Sequence, residues 1–238
     1  MSMFSQLRHV AHSASLLFLG ACASDGVGRI DPSLEMPRHS VLKKEDRLEV
    51  RQYEPYVVAE VETEGDYDKA ARDAFRVLAG YIFGGNQGER KVAMTAPVAT
   101  TRSGAREGTK IAMTAPVASE RVADRAPGTD AGLGERARWT TSFMMPSRYT
   151  LDTLPTPNDE RVRFRERPER CVGVVMFSGL VTDDEVSKQA EVLRGWIAAQ
   201  GLDIKGDFSL ARYNDPFTLP WNRRNELHYE LESCPPPA

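Results

Sequence analysis

The chain has 238 residues, 41% of them hydrophobic and 27% charged, with a formal net charge of −3. That length supports one substantial core or two small ones, and the composition is that of an ordinary globular protein. The slight acidity gives no reason to expect nucleic acid as a partner, and no apolar run approaches the ~20 residues that span a bilayer.

In chain order, Arg8 and His9 precede the apolar run Ala14-Ser-Leu-Leu-Phe-Leu-Gly-Ala21, which ends at Cys22. This is the layout of a secretory signal with a short apolar centre. Leu19-Gly-Ala-Cys22 resembles a bacterial lipobox, whose cysteine takes the lipid and becomes the new N-terminus. Residues 1–22 are therefore expected to be a signal peptide with lipobox. The mature chain is expected to be lipid-anchored in a bacterial cell envelope, its domain periplasmic, held to the membrane without spanning it. Residues 23–44 mix Gly, Asp, Pro, Ser and Arg without apolar periodicity and read as a tether. The domain is expected at 45–232 and a Pro-rich tail at 233–238. With Cys22 acylated, Cys171 and Cys234 remain, in a compartment where disulfides form. The sequence leaves a disulfide open without placing the two together, and we favour two unpaired thiols with Cys171 buried in a strand.

Leu48, Val50 and Gln52 alternate with charged residues, the period of a strand, and Val57 to Val61 continue a sheet. Gly65-Asp66 opens a helix whose apolar positions Ala70, Ala71, Ala74, Val77, Leu78, Tyr81 and Ile82 form one stripe, stopped by Gly84-Gly85-Asn86. Then the same nonapeptide occurs almost twice, Lys91-Val-Ala-Met-Thr-Ala-Pro-Val-Ala99 and Lys110-Ile-Ala-Met-Thr-Ala-Pro-Val-Ala118. Val92, Met94, Ala96 and Val98, like Ile111, Met113, Ala115 and Val117, alternate as one buried strand face, so a hairpin is expected, with Pro97 and Pro116 at strand ends or bulges. Residues 120–138 read as an exposed insertion and no more than a loop. Trp139 to Met145 is a strand closed by Pro146.

The chain then repeats itself: residues 161–179 align without gaps on 47–65, an offset of 114, with Arg47/Arg161, Arg51/Arg165, Val58/Val172, Val61/Val175 and Gly65/Gly179 coinciding. A second helix opens at Thr182-Asp-Asp-Glu185, a capping-box layout, with the stripe Val186, Ala190, Leu193, Trp196 and Ile197, ending before Gly201. Strands close the chain at 208–213 and 226–232. Each half reads strand, strand, helix, strands, with too few strands to bury its own face. The fold class is thus α+β, one fused domain of two pseudo-symmetric repeats, about 45–118 and 139–232.

Catalytic chemistry has little to build on. Of four histidines, His9 and His12 leave with the signal, His39 falls in the tether, and His228 shares a strand face with Glu226 and Glu230, where a solvated position is expected. No Ser-His-Asp set assembles, and neither zinc-ligand spacing nor a phosphate loop is present. We expect no enzyme. What the first helix offers outside its buried stripe is an apolar face edged with cations: Arg72, Phe75, Arg76, Ala79 and Phe83. Arg72 and Arg76 there can clamp carboxylates, and Phe75 and Ala79 can take a flat apolar ring.

The paired Met-Thr-Ala-Pro-Val segments, the preceding Tyr81-Ile-Phe-Gly-Gly-Asn86, and the later Arg212-Tyr-Asn-Asp-Pro-Phe-Thr-Leu-Pro220 and Arg223-Arg-Asn-Glu226 resemble the SOUL haem-binding protein family. The resemblance implies a distorted antiparallel β-barrel flanked by two helices. It also implies haem or a related tetrapyrrole as ligand, with the first helix and nearby loops as its contact. Vertebrate members that use a histidine ligand carry it in the first strand between Arg and Tyr. Gln52 stands at that position here, so that coordination is lost, the axial ligand is unknown, and Met94, Met113 and Cys234-Pro235 are weak substitutes. The expected role is reversible binding, buffering or delivery of haem at the envelope without redox chemistry. A binding module for another hydrophobic small ligand and a structural envelope lipoprotein stay open as alternatives.

Overall fold

The computed structural model describes residues 28, 30–87, 109–122, 133–134, 136–214 and 217–236. Among them the elements run β1 His39–Glu45, β2 Leu48–Tyr53, β3 Tyr56–Gly65, α1 Tyr67–Ile82, β4 Asn86–Gln87, β5 Val117–Arg121, β6 Ala137–Met144, β7 Thr156–Pro157, β8 Arg163–Arg167, β9 Arg170–Phe177, α2 Asp183–Ala199, β10 Ile204–Arg212 and β11 Asn225–Leu231. One antiparallel sheet takes nine strands in the order β1-β2-β9-β11-β10-β5-β6-β3-β8, while β4 and β7 pair apart from it.

That order dictates the shape. β2 and β3 stand six places apart in the sheet, yet only Glu54 and Pro55 join them. Six strand spacings in a flat sheet measure about 29 Å. Three Cα steps reach no more than about 10 Å. β8 and β9 are also six places apart and are joined only by Pro168 and Glu169. Two such short links leave one solution: the sheet rolls into the expected distorted barrel.

The internal repeat is written into the register. Shifting each partner by the 114-residue offset turns Glu49↔Val174 into Arg163↔Glu60, Arg51↔Val172 into Arg165↔Val58, and Tyr53↔Arg170 into Arg167↔Tyr56. All three image pairs are present between β3 and β8. Omitting β1, the strand order is itself palindromic, with the dyad between β10 and β5.

Each half has one helix on the outside of the barrel. α1 is capped by Asp66, whose side chain accepts from the Lys69 N–H, and ends where Gly84 takes φ 110°. Its buried Ala74, Leu78, Tyr81 and Ile82 pack on Ala59, Val61 and Phe143, while Ala70 joins the cluster of Tyr67 and Trp139. α2 is capped by Thr182 and sets Val186, Ala190, Leu193 and Ile197 on Val175, Phe177, Leu227 and Tyr229. Gly173 of β9 makes room there, since a Cβ would lie 2.6 Å from Ile197 Cδ1 and that side chain would have to shift.

Several expectations change. The sheet begins at His39, inside the stretch read as tether, because β1 pairs with β2 although its side chains alternate poorly. The first nonapeptide copy lies outside the described residues, as do the signal segment and Cys22. In the second copy only Val117 and Ala118 are strand; Ile111 and Ala115 are buried and Met113 is exposed. Residues 111–115 bond irregularly instead, Ile111 N–H to Ile82 O at 2.8 Å and Ala115 N–H to Glu35 O at 3.0 Å, ahead of a cis Ala115-Pro116 bond. The stretch 120–138 is not simply an exposed loop: its ends belong to β5 and β6, and Leu133 enters the core under α2.

Cys171 and Cys234 form a disulfide, with Cα atoms 5.3 Å apart, contrary to the reading of two free thiols. The tail returns to β9, which a Pro-rich composition does not reveal. The bridge closes a separation of 63 residues, so Cys234→Ser should lower stability by roughly 2–4 kcal/mol. Chemical denaturation of the two proteins under oxidising conditions checks this, and reduction should bring the native chain to the variant's midpoint.

Candidate functional site

Four of the five predicted positions, Arg72, Phe75, Arg76 and Phe83, are exposed, and Ala79 is half-buried. Arg72, Phe75, Arg76, Ala79 and Phe83 fall within an arc of roughly 100° on the side away from the core stripe. Phe83 is 60% and Phe75 40% exposed. Phe75 is the inward edge of this face, its ring meeting Phe143 edge-on at 5.4 Å. Arg76 lies 3.6 Å from Asp73, which also takes the Lys69 ammonium at 2.8 Å, so the acid between the two arginines is already engaged.

On the other flank of Arg76 an open groove of about 750 Å³ runs between α1 and the loop before β8. Val77, Gly80 and Tyr81 form one wall, and Asn158 to Arg161 the other. A Cβ on Gly80 would meet nothing within 4 Å, so the wall is low there. Arg161 stands across the groove from Arg76, its guanidinium held by Asp159 at 2.7 Å. Sequence reading used Arg161 only as a repeat landmark. Its mate Arg47 instead bonds Gln189 at 2.6 Å, and because both positions carry arginine the sequence held no signal that sets Arg161 apart.

The inside of the barrel is a second chemical centre, and here the structure overturns an expectation. His228 is buried, not solvated. Alternation correctly set it opposite Leu227 and Tyr229, but the rolled sheet encloses that face too. Glu226, fully buried, accepts from Arg51 at 2.9 and 3.2 Å, Arg224 at 2.6 and 2.9 Å, Tyr213 at 2.5 Å, and meets His228 Nε2 at 2.8 Å. Arg51 also donates to Glu49 at 2.7 Å and to the Tyr53 hydroxyl at 3.1 Å. The Arg223-Arg-Asn-Glu226 motif and Tyr213 therefore build this network, while Asn225 ties β11 to Gly179 O at 3.1 Å. Beside it a small cavity of about 40 Å³ is bounded by Tyr53, Tyr56, Arg167, Arg170 and His228, with room for little more than water.

Burial alone would raise the Glu226 carboxyl, but the His228 bond and the Arg51 charge hold it well below its ordinary value. Burial pushes His228 down, against the pull of Glu226, and pushes Tyr53 up to about 12. These groups brace the barrel. The described residues contain no cluster of three His, Cys, Asp or Glu suited to a metal ion. Gln52 is occupied by Glu169 at 2.7 Å, and the Cys234 sulfur is committed to its disulfide.

The architecture is a duplicated α+β barrel with an arginine-edged apolar helix face and a groove beside it. The chain belongs to the SOUL heme-binding protein family, whose model matches residues 34–107 and 102–230. It is 28% identical over 207 residues to heme-binding protein 2 of Mus musculus, covering 84% of this chain and 87% of that one. With heme-binding protein 2 of Homo sapiens it shares 30% over 183 residues, 75% of each chain. Solved structures of the same fold include the EcmrR C-terminal domain (TM-score 0.53, 8% identity, 79% of this chain and 98% of that one). A hydrolase from Listeria innocua also matches (TM-score 0.50, 13% identity, 78% and 92%). At such identities these two show the fold alone, whereas the relatives in sequence are named for binding haem and not for catalysis.

The buried network sets an acid limit on stability. His228 titrates below its ordinary 6.5, so as pH falls through 6.5 the unfolded chain takes up protons first and stability declines. His39, half-buried against Tyr53, shifts the same way. Glu226 adds a second loss as pH falls below its ordinary 4.5 toward its folded value. Thermal melts should be level from neutrality to about pH 9, decline below pH 6.5 and decline more steeply below pH 4.5. Glu226→Gln should flatten the last branch and lower stability near neutrality by about 3–5 kcal/mol, because Arg51 and Arg224 lose the carboxylate they share and Arg51 keeps only Glu49.

Proposed function

We propose that this domain binds haem or a related tetrapyrrole reversibly and serves to buffer or deliver it at the cell envelope, where a lipid on Cys22 holds it. The observation that carries the reading is the α1 face, in a chain whose family is heme-binding: Phe75 and Phe83 offer exposed apolar surface, bracketed by Arg72 and Arg76. The residues suit the organic part of the group. A porphyrin plane can lie on Phe83, Ala79 and the free edge of Phe75. Its two carboxylates can reach Arg72 and Arg76, with Arg161 available from across the groove. Haem bound this way supplies its own iron chemistry, and the protein contributes binding and orientation. We name no axial ligand. The envelope placement and the lipid belong to this proposal and rest on the sequence pattern of the N-terminus.

Haemin added to the full chain should give a saturable Soret change. Arg72→Glu with Arg76→Glu should weaken binding by roughly tenfold or more, since each lost guanidinium–carboxylate bond is worth about 1.5–3 kcal/mol. An unchanged affinity in the double variant removes this face from the site. Absence of any Soret change, with a melting shift by some other apolar ligand, replaces haem with that ligand.

A further inference from the structure

The segment from Tyr213 to Arg224 contains the family motif that the haem proposal does not use. Its turn, Pro220–Asn222 in 3₁₀ geometry, presents Phe217 at 93%, Trp221 at 66% and Leu219 at 51% exposure. Leu180, 56% exposed, adjoins it, because the Gly179 N–H donates to Pro220 O at 2.9 Å. Its described residues are bonded: Arg223 Nε donates to Thr218 O at 2.7 Å, the Asn222 N–H to Leu219 O at 2.9 Å, and the Arg224 N–H to Asn214 Oδ1 at 2.6 Å. Apolar side chains are thus projected outward from a bonded turn. Grouped exposure of this kind marks an interaction surface. None of these side chains lines the α1 groove or the interior cavity.

The N-terminal segment arrives at this same place. Ile30 and Leu34 pack on Ala115, Ala211 and Tyr213. The Gly28 backbone abuts that of Asn222 and Arg223 so closely that no Cβ fits. From Cys22 to Gly28 there are six residue steps, which reach about 20 Å at most. An anchor at Cys22 therefore keeps the aromatic turn within about 20 Å of the lipid.

We propose that the turn carrying Phe217, Leu219 and Trp221 rests in the headgroup layer of the membrane that the anchor engages. The proposal rests on the lipid-anchor reading and adds which face of the domain meets the bilayer. Tryptophan suits that layer, its ring apolar and its N–H polar, while phenylalanine and leucine add apolar contact beneath. The contact is apolar, so it persists in high salt.

The test uses the full chain, processed in a bacterial host and reconstituted in phosphatidylethanolamine–phosphatidylglycerol vesicles containing acyl-brominated lipid. Palmitate labelling, abolished by Cys22→Ser, reads the anchor. The fluorescence difference between the native chain and Trp221→Phe reads the turn, because it isolates Trp221 from Trp139 and Trp196. Brominated lipid should quench that difference by about twofold or more, as for a ring at headgroup depth. Phe217→Ser with Leu219→Ser should remove most of the quenching and leave the haemin titration unchanged. Labelling without lipid quenching, with Trp221 still open to aqueous iodide, overturns the face assignment and spares the anchor. Absence of labelling overturns both. Loss of haemin binding in the double variant, or a vesicle-free dimer that it dissociates, overturns the proposal in favour of the ligand or of a second copy of the chain.

Discussion

Two links of two residues each decide the architecture. Glu54-Pro55 and Pro168-Glu169 join strands that stand six places apart in one sheet, a gap that such links cannot cross unless the sheet rolls up. Everything else follows from that closure. The helices must lie outside, one on each half. The central strands then have two covered faces, one toward a helix and one toward the barrel axis, while β1 and β8 at the edges stay largely exposed.

The inward face is where the two repeats have diverged. Equivalent registers are kept, yet Tyr53 and Tyr56 correspond to Arg167 and Arg170, and Glu49 to Arg163. One end of the interior is closed by Glu226 with its ring of donors, the other by Arg167 with Glu120 and Glu60. A buried carboxylate meeting two guanidiniums, a phenol and an imidazole satisfies its lone pairs, which is what makes its burial tolerable. The interior is thereby filled and braced. Ligand surface of useful size lies outside, along α1.

Outside, the molecule offers two unlike apolar features. The α1 face combines phenyl rings with arginines and borders an open groove, which fits a flat ligand bearing carboxylates. The 217–221 turn combines Trp, Phe and Leu beside the point where the N-terminal segment docks, which fits a surface.

Much of this was legible in the residue order. The stripes and caps of α1 and α2, the alternation in β2, β10 and β11, the 114-residue repeat and the exposed quintet on α1 all follow from local periodicity and capping chemistry, which short-range geometry controls. Periodicity assigns residues to a face but does not say whether that face is wet. Only closure of the sheet decided that His228, Glu226 and Arg51 are buried. Likewise, only the return of the tail made Cys171 and Cys234 partners, and only the approach of the 158–161 loop brought Arg161 opposite Arg76. Those three outcomes depend on contacts between distant stretches of chain, and no local pattern encodes them.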